Sequence, residues 1–210
     1  MPKNYISNNE DSVRMFRSNW MEALSKVHFS VPLFIYIPAI IFFCYRSFTA
    51  GIGLAGFALC FLGGLVLWTA TEYFLHRFIF HYQPASQWGQ RVHFIFHGVH
   101  HDYPRDKKRL VMPPSASIPL ATLFYFLFSL FFSGANLYAF FPGFLFGYLV
   151  YDMMHYAMHH YHFKSGFFKR IRQHHLIHHY QDPKNGFGVS SSLWDEIMRT
   201  GFSKKPKATK

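Results

Sequence analysis

The chain has 210 residues, half of them hydrophobic, with 27 Phe and only 15% charged side chains. That balance is too apolar for an ordinary soluble domain. Lys and Arg outnumber Asp and Glu by 21 to 10, but the basic residues flank apolar stretches and form no single basic face, which excludes nucleic acid as the partner.

The first 26 residues are polar, with mixed charge and no apolar h-region, so no cleaved secretory signal is expected and the first crossing must itself direct insertion. A charge-free stretch then runs to Tyr45, followed after Arg46 by a second over 47–71. The third, 110–151, is about twice the ~20 residues that one helix needs to cross hydrocarbon. These runs predict an all-α integral membrane protein with four transmembrane helices in two hairpins. The spans fall at about 27–46, 51–72, 115–133 and 137–154, with turns at 46–50 and 133–136. Pro32, Pro38, Pro119 and Pro142 should kink or tilt them, and Cys44 and Cys60 sit inside spans as small apolar residues. The organisation is an N-terminal cytosolic segment (1–26), a membrane domain (27–202) and a basic tail (203–210) suited to an anionic membrane surface. All Lys and Arg except Arg46 fall on one side of this topology, which by the positive-inside tendency is the cytoplasm. The expected location is a multi-pass protein of a bacterial inner membrane or the endoplasmic reticulum.

Fourteen of the 15 histidines lie between 76 and 179, in HRFIFH, HFIFHGVHH, HYAMHHYH and HHLIHH, directly after the second and fourth spans. On helices, His97 and His101, His155 and His159, and His175 and His179 are four apart and share a face. Neighbours such as His100 and His101, or His178 and His179, diverge by ~100°, and His76 and His81, five apart, are expected to diverge likewise. Such segments address two ions from one cytosolic helical cap. All-imidazole sites suit iron, zinc, copper or nickel and not magnesium or calcium. Glu72 and Asp152, near His76 and His155, are expected to accept the second ring N–H and fix the ligating tautomer. His28 and His162 read as interfacial residues. The aromatic-interleaved helical spacing argues against a disordered histidine-rich metal buffer. The absence of H-E-x-x-H and of a serine elbow argues against a zinc hydrolase.

The segments EYFLHRFIFH (72–81), HGVHH (97–101), RLVMPP (109–114), YDMMHYAMHH (151–160), HHLIHH (174–179) and NGFGVSSSLWD (185–195) resemble, in order, those of the fatty acid 2-hydroxylase (sphingolipid alpha-hydroxylase) family, within the fatty acid hydroxylase and sterol desaturase group. The resemblance covers roughly residues 20–202. It implies ten ligands for two metal ions: His76, His81, His97, His100, His101, His155, His159, His175, His178 and His179. It leaves His93, His160 and His174 as supporting or surface residues, and places Tyr151 and Asp152 beside the metals, near the substrate's polar end. It also implies hydroxylation of the carbon next to the carbonyl of a fatty acyl chain lying in the membrane, with O2 and external electrons. Many members carry an N-terminal cytochrome b5 domain, whereas this sequence starts almost at the membrane, so a separate cytochrome b5-like or ferredoxin-like electron donor is expected. An unactivated C–H bond calls for a redox metal, which zinc is not, so the expected centre is di-iron, although the cage would also hold zinc in a purified sample. The alternatives are a desaturase or sterol-type oxidase of the same group, and a non-catalytic membrane metal-binding protein, whose transport version would need polar groups that the spans lack. Phe78, Phe80, Phe94 and Phe96 either line a substrate entrance or pack.

Overall fold

A long apolar run can satisfy its backbone in lipid only through hydrogen bonds within the segment, which is what a helix supplies. The computed structural model, which describes residues 5–202, is helical with no strand among the described residues. The tail expected at 203–210 lies outside them. A short helix α1 (Asn19–Leu24) precedes α2 (Val31–Thr49) and α3 (Leu54–Phe74), which runs on through a π-helical turn at Leu75–Phe80. Then come α4 (Gln87–His93), a second π turn (Phe94–Gly98), α5 (Val99–Asp102), α6 (Pro114–Ser129), α7 (Gly134–His160), α8 (Gly166–Tyr180) and α9 (Leu193–Ile197).

Three of these are long and apolar enough to cross a membrane: α2, α3 with its π turn, and α7. The apolar helix α6 has 16 residues, about 24 Å at 1.5 Å per residue, against a hydrocarbon core of about 30 Å. Pro114 opens α6 at its first turn, and residues 130–133 lie between it and α7. Pro38, Pro119 and Pro142 all fall inside helices, as the sequence suggested.

The helices are not equivalent. In the apolar stretch of α7, 72% of residues are buried, against 17% for α2 and 11% for α3, so α7 is the axis and α2 and α3 turn most of their surface outward. α7 packs against α2, α3 and α6 through a core of aromatic rings, with Trp68 against Phe144 and Tyr148, and Phe128 against Phe140 and Phe144. Association of apolar helices in lipid depends on close packing, not on apolar burial, because lipid tails are as apolar as the side chains. Glycines make that approach: a Cβ on Gly143 would stand 2.0 Å from the carbonyl oxygen of Phe61, and one on Gly64 would stand 2.1 Å from that of Phe140.

This contact sets the spacing between the helices that carry His76 and His155. Gly143→Leu should therefore drive α3 from α7, costing about 1–3 kcal/mol or more. The expected outcome is a lower Tm in detergent together with loss of bound metal; an unchanged Tm would show that the close approach is not needed.

Candidate metal centre

The ten histidines singled out above come together at the end of the bundle as two groups of five. One comprises His76, His81, His97, His101 and His178; the other comprises His100, His155, His159, His175 and His179. Within each group one nitrogen per ring lies within 4.8 Å of all the others. The groups adjoin, since the rings of His101 and His179 stack 4.2 Å apart. The pairs four apart do share a group, and the adjacent pairs His100/His101 and His178/His179 do separate.

His76 and His81 depart from expectation. Five apart on an α-helix they would diverge, yet they belong to the same group because Leu75–Phe80 winds as a π turn. Its i→i+5 hydrogen bond links His81 N–H directly to the His76 carbonyl at 3.1 Å and brings the two rings onto one face. The second π turn, Phe94–Gly98, carries His97. π turns of this kind favour functional positions, where they re-aim a side chain at some cost in helix geometry.

The tautomers follow from the partners. His76 Nδ1 meets the Phe187 carbonyl at 2.5 Å and His178 Nδ1 meets that of Asn185 at 2.7 Å. A carbonyl only accepts, so both Nδ1 atoms carry the proton and both Nε2 atoms present bare lone pairs. Yet the Nε2 atoms of His76, His81 and His97 lie 3.2–3.3 Å from one another, and that of His178 lies 2.9 Å from that of His81. At most a few of these contacts can hold a shared proton. Further ring nitrogens, including Nε2 of His100, His101 and His155 and both nitrogens of His179, are buried without a hydrogen-bond partner. Buried orphan acceptors facing one another are costly, and a cation at the centre of each group removes that cost. Burial, reinforced by the neighbouring rings His101 and His178, pushes His81 down to about 2. Burial likewise brings His178 to about 4, even though the Asn185 carbonyl pulls the other way. The rings are therefore neutral at ordinary pH, the form that binds metal.

Neither Glu72 nor Asp152 takes the role expected from sequence. Glu72 accepts the N–H groups of Val189 and Ser190, each at 2.8 Å, and the Ser190 hydroxyl. Asp152 accepts the Met112 N–H at 3.1 Å and the Tyr148 hydroxyl at 3.0 Å. Backbone carbonyls orient His76 and His178 instead, and Glu72 holds the loop that presents those carbonyls, while Asp152 ties Met112 to α7. Asp195 completes this support, accepting the N–H groups of Phe187 and Gly188, the Thr200 hydroxyl, and a contact from His174 Nε2 at 2.9 Å. Burial pushes the Asp195 carboxyl up, but these donors outweigh it and hold it below the usual range. Gly186 sits in this loop at φ +73°, in the left-handed region that side chains avoid. Of the other histidines, His174 contacts Asp195. His160 lies tilted against the Tyr156 ring, 4.6 Å between centroids, and His28 is exposed beside Ser30.

A cavity of about 320 Å³ opens beside the histidines, touching His97, His100, His155, Tyr151 and Asp152. Tyr151 and Asp152 are both buried, and the Tyr151 ring lies 5.7 Å from that of His155. Phe80 and Phe96 line the cavity, while Phe78 stacks on Phe74 and Phe94 packs under Arg91. The rest of the lining includes the N-terminal strap, with Met15, Phe16 and α1. Nothing in the sequence pattern marked the strap as part of the site. It is clamped by Arg109, which donates to Glu22 at 2.6 Å, to Asp106 at 3.0 Å and to the Val13 carbonyl. Glu22 in turn accepts the N–H groups of Met15 and Phe16, both at 3.0 Å. Desolvation raises the Glu22 carboxyl, but Lys26, these two N–H groups and Arg109 more than compensate and bring it down to about 2 from 4.5.

Comparison with known proteins gives a consistent picture. Residues 61–200 match the family model described as fatty acid hydroxylase. The chain is 37% identical over 188 residues to the dihydroceramide fatty acyl 2-hydroxylase FAH2 of Arabidopsis thaliana, covering 89% of this chain and 79% of that one. It is 35% identical to the human fatty acid 2-hydroxylase, covering 92% of this chain and 58% of the relative. A solved structure described as full-length scs7p, with only the hydroxylase domain visible, superposes with a TM-score of 0.84 at 35% identity. The match covers 91% of this chain and 73% of that one.

Two outcomes are expected. Asp195→Asn places an amide N–H against backbone donors and frees the loop, so metal affinity measured by competition with a chelator should fall about 10–100-fold; unchanged affinity would separate the loop from the centre. Because the folded pKa of Glu22 is depressed, the stability it contributes is complete above about 4.5 and lost as pH falls towards about 2. Protection of the strap from proteolysis should decline through that window, and Glu22→Gln should flatten the decline.

Proposed function

This chain belongs to the fatty acid hydroxylase family, and from that premise we propose that it hydroxylates a lipid acyl chain at the 2-position, with the ten imidazoles holding two metal ions. The reading rests on one observation: two adjoining sets of five rings, eight of the ten buried and His81 and His101 half-buried, with lone pairs converging, beside a cavity lined largely by apolar side chains. In the overall reaction O2, two electrons and two protons convert C–H to C–OH and release water, the electrons coming from a redox donor. A redox-active metal such as iron, when bound, supplies the means to activate dioxygen and cleave an unactivated C–H bond. Zinc fits the same donors but has no redox chemistry.

The protein's own side chains aim and enclose. The carbonyls of Phe187 and Asn185 keep His76 and His178 in the tautomer that offers Nε2. Tyr151 and Asp152 stand where the cavity meets His155, and we assign them to the substrate's polar end. There the Met112 N–H and the Tyr148 hydroxyl hold the Asp152 carboxyl in place. Burial of the rings keeps bulk water from the centre. The proposed setting is a four-span membrane protein, with α6 as the short fourth span and the histidine cap facing the cytoplasm, since Arg46 is alone among the Lys and Arg residues at the opposite turn.

Lipid mass spectrometry of cells expressing the chain should show acyl chains gaining one oxygen at carbon 2, and His155→Ala should reduce that product to background. A double bond in place of the hydroxyl would point to a desaturase. In purified protein stripped by chelation, iron should restore both the Tm and product formation, whereas zinc should restore the Tm alone. Full activity with zinc as the only metal would refute the redox-metal assignment.

A further inference from the structure

The strap formed by residues 12–26 is the part of the cavity wall that owes least to the membrane core. Its helix α1 presents Trp20, Met21 and Leu24 on one side, at spacings of three and four that share a helix face, and all three line the cavity. They are 66%, 39% and 51% exposed, so the protein interior does not cover them. Glu22, on the same short helix, is 7% exposed and locked to Arg109. One residue thus fixes where α1 stands while its neighbours face a space that the protein leaves open.

We propose that α1 is a gauge of acyl length, with Met21 and Leu24 limiting the longest alkyl chain that fits when its reacting carbon is at the histidines. The inference rests on the functional reading above and adds to it a specificity determinant outside the metal-binding segments. His97, His100 and His155 line the same cavity as α1, so an alkyl chain whose carbon 2 reaches these histidines has the space bounded by α1 open to it. The same lining includes Phe16, Phe96 and Val111, which offer an alkyl chain apolar contact. Chain discrimination by such a wall is set by contacts to each methylene, and one methylene gained or lost in an apolar pocket changes relative kcat/KM by about tenfold or more. Glu22 and Arg109 act as positioning residues, since their ion pair decides how far α1 can retreat.

The test uses the full chain expressed in cells supplied with an equimolar mixture of saturated fatty acids of graded length, with the distribution of 2-hydroxylated products read by mass spectrometry. Leu24→Trp should lower the ratio of longest to shortest products about tenfold, and Leu24→Ala should raise it. Glu22→Gln, which keeps the side-chain shape but releases the clamp, should broaden the distribution. Because Leu24 is half exposed, neither Leu24 substitution depends on repacking the core, and total product should stay measurable. An active Leu24→Trp protein with the unaltered distribution would overturn the gauge while leaving the hydroxylase reading intact. Absence of any 2-hydroxylated product from the unaltered chain would strike the functional reading itself.

Discussion

Ten imidazoles, eight of them buried and two half-buried, with their lone pairs turned on one another are the constraint around which this protein is arranged. Left alone, such a cluster is an accumulation of unsatisfied acceptors in a medium of low polarity, and each would cost a substantial part of a hydrogen bond. Two cations convert that liability into binding energy, which then becomes part of the stability of the fold. Burial suits the same end, because it keeps His81 and its neighbours neutral and therefore able to coordinate.

The remaining architecture can be understood as the means of bringing rings from four segments to one place. α7 provides the rigid axis, and its C-terminal turns carry His155 and His159. The glycine contact with α3 sets the distance to His76, and the π turn that follows corrects a five-residue spacing which an α-helix would have thrown apart. α8 crosses with His175, His178 and His179 and is held by the loop at 185–190. That loop is itself pinned on two sides, by Glu72 from the membrane bundle and by Asp195 from its own C-terminal flank. Two buried carboxylates thus stabilise a backbone conformation whose carbonyls aim the rings. This indirect arrangement uses main-chain acceptors, which cannot rotate away as a side chain can.

The strap adds a different kind of constraint. Its ion cluster of Arg109, Glu22 and Asp106 is almost wholly buried, a setting in which a charge without its partner is expensive. The cluster consequently specifies a position more than it adds stability. That position completes the cavity beside the centre with residues drawn from the polar beginning of the chain.

How much of this was legible beforehand depends on the range of the forces involved. Apolar runs without charge report on helices in lipid because the requirement to satisfy the backbone is local, and the structure has three helices long and apolar enough to cross a membrane, α2, α3 with its π turn, and α7. The grouping of His97 with His101, of His155 with His159 and of His175 with His179 was equally readable, since helical periodicity is a local property. The short α6 was foreseen as apolar but not as a helix of 16 residues, because only its packing against α7 decides where it ends. The convergence of His76 with His81 depended on a π turn, for which residue spacing carries no distinct signal. The partners of Glu72, Asp152 and Glu22 lie up to 118 residues away. Nor do the Phe187 and Asn185 carbonyls leave any side-chain signature in a sequence. By itself, then, the order of residues determined the apolar helices and the pairing of histidines four apart, both of which rest on neighbours along the chain, while the full set of ten came from the family resemblance. Tertiary structure alone decided which rings share an ion, what aims them and what walls the cavity, because those depend on contacts between segments distant in sequence.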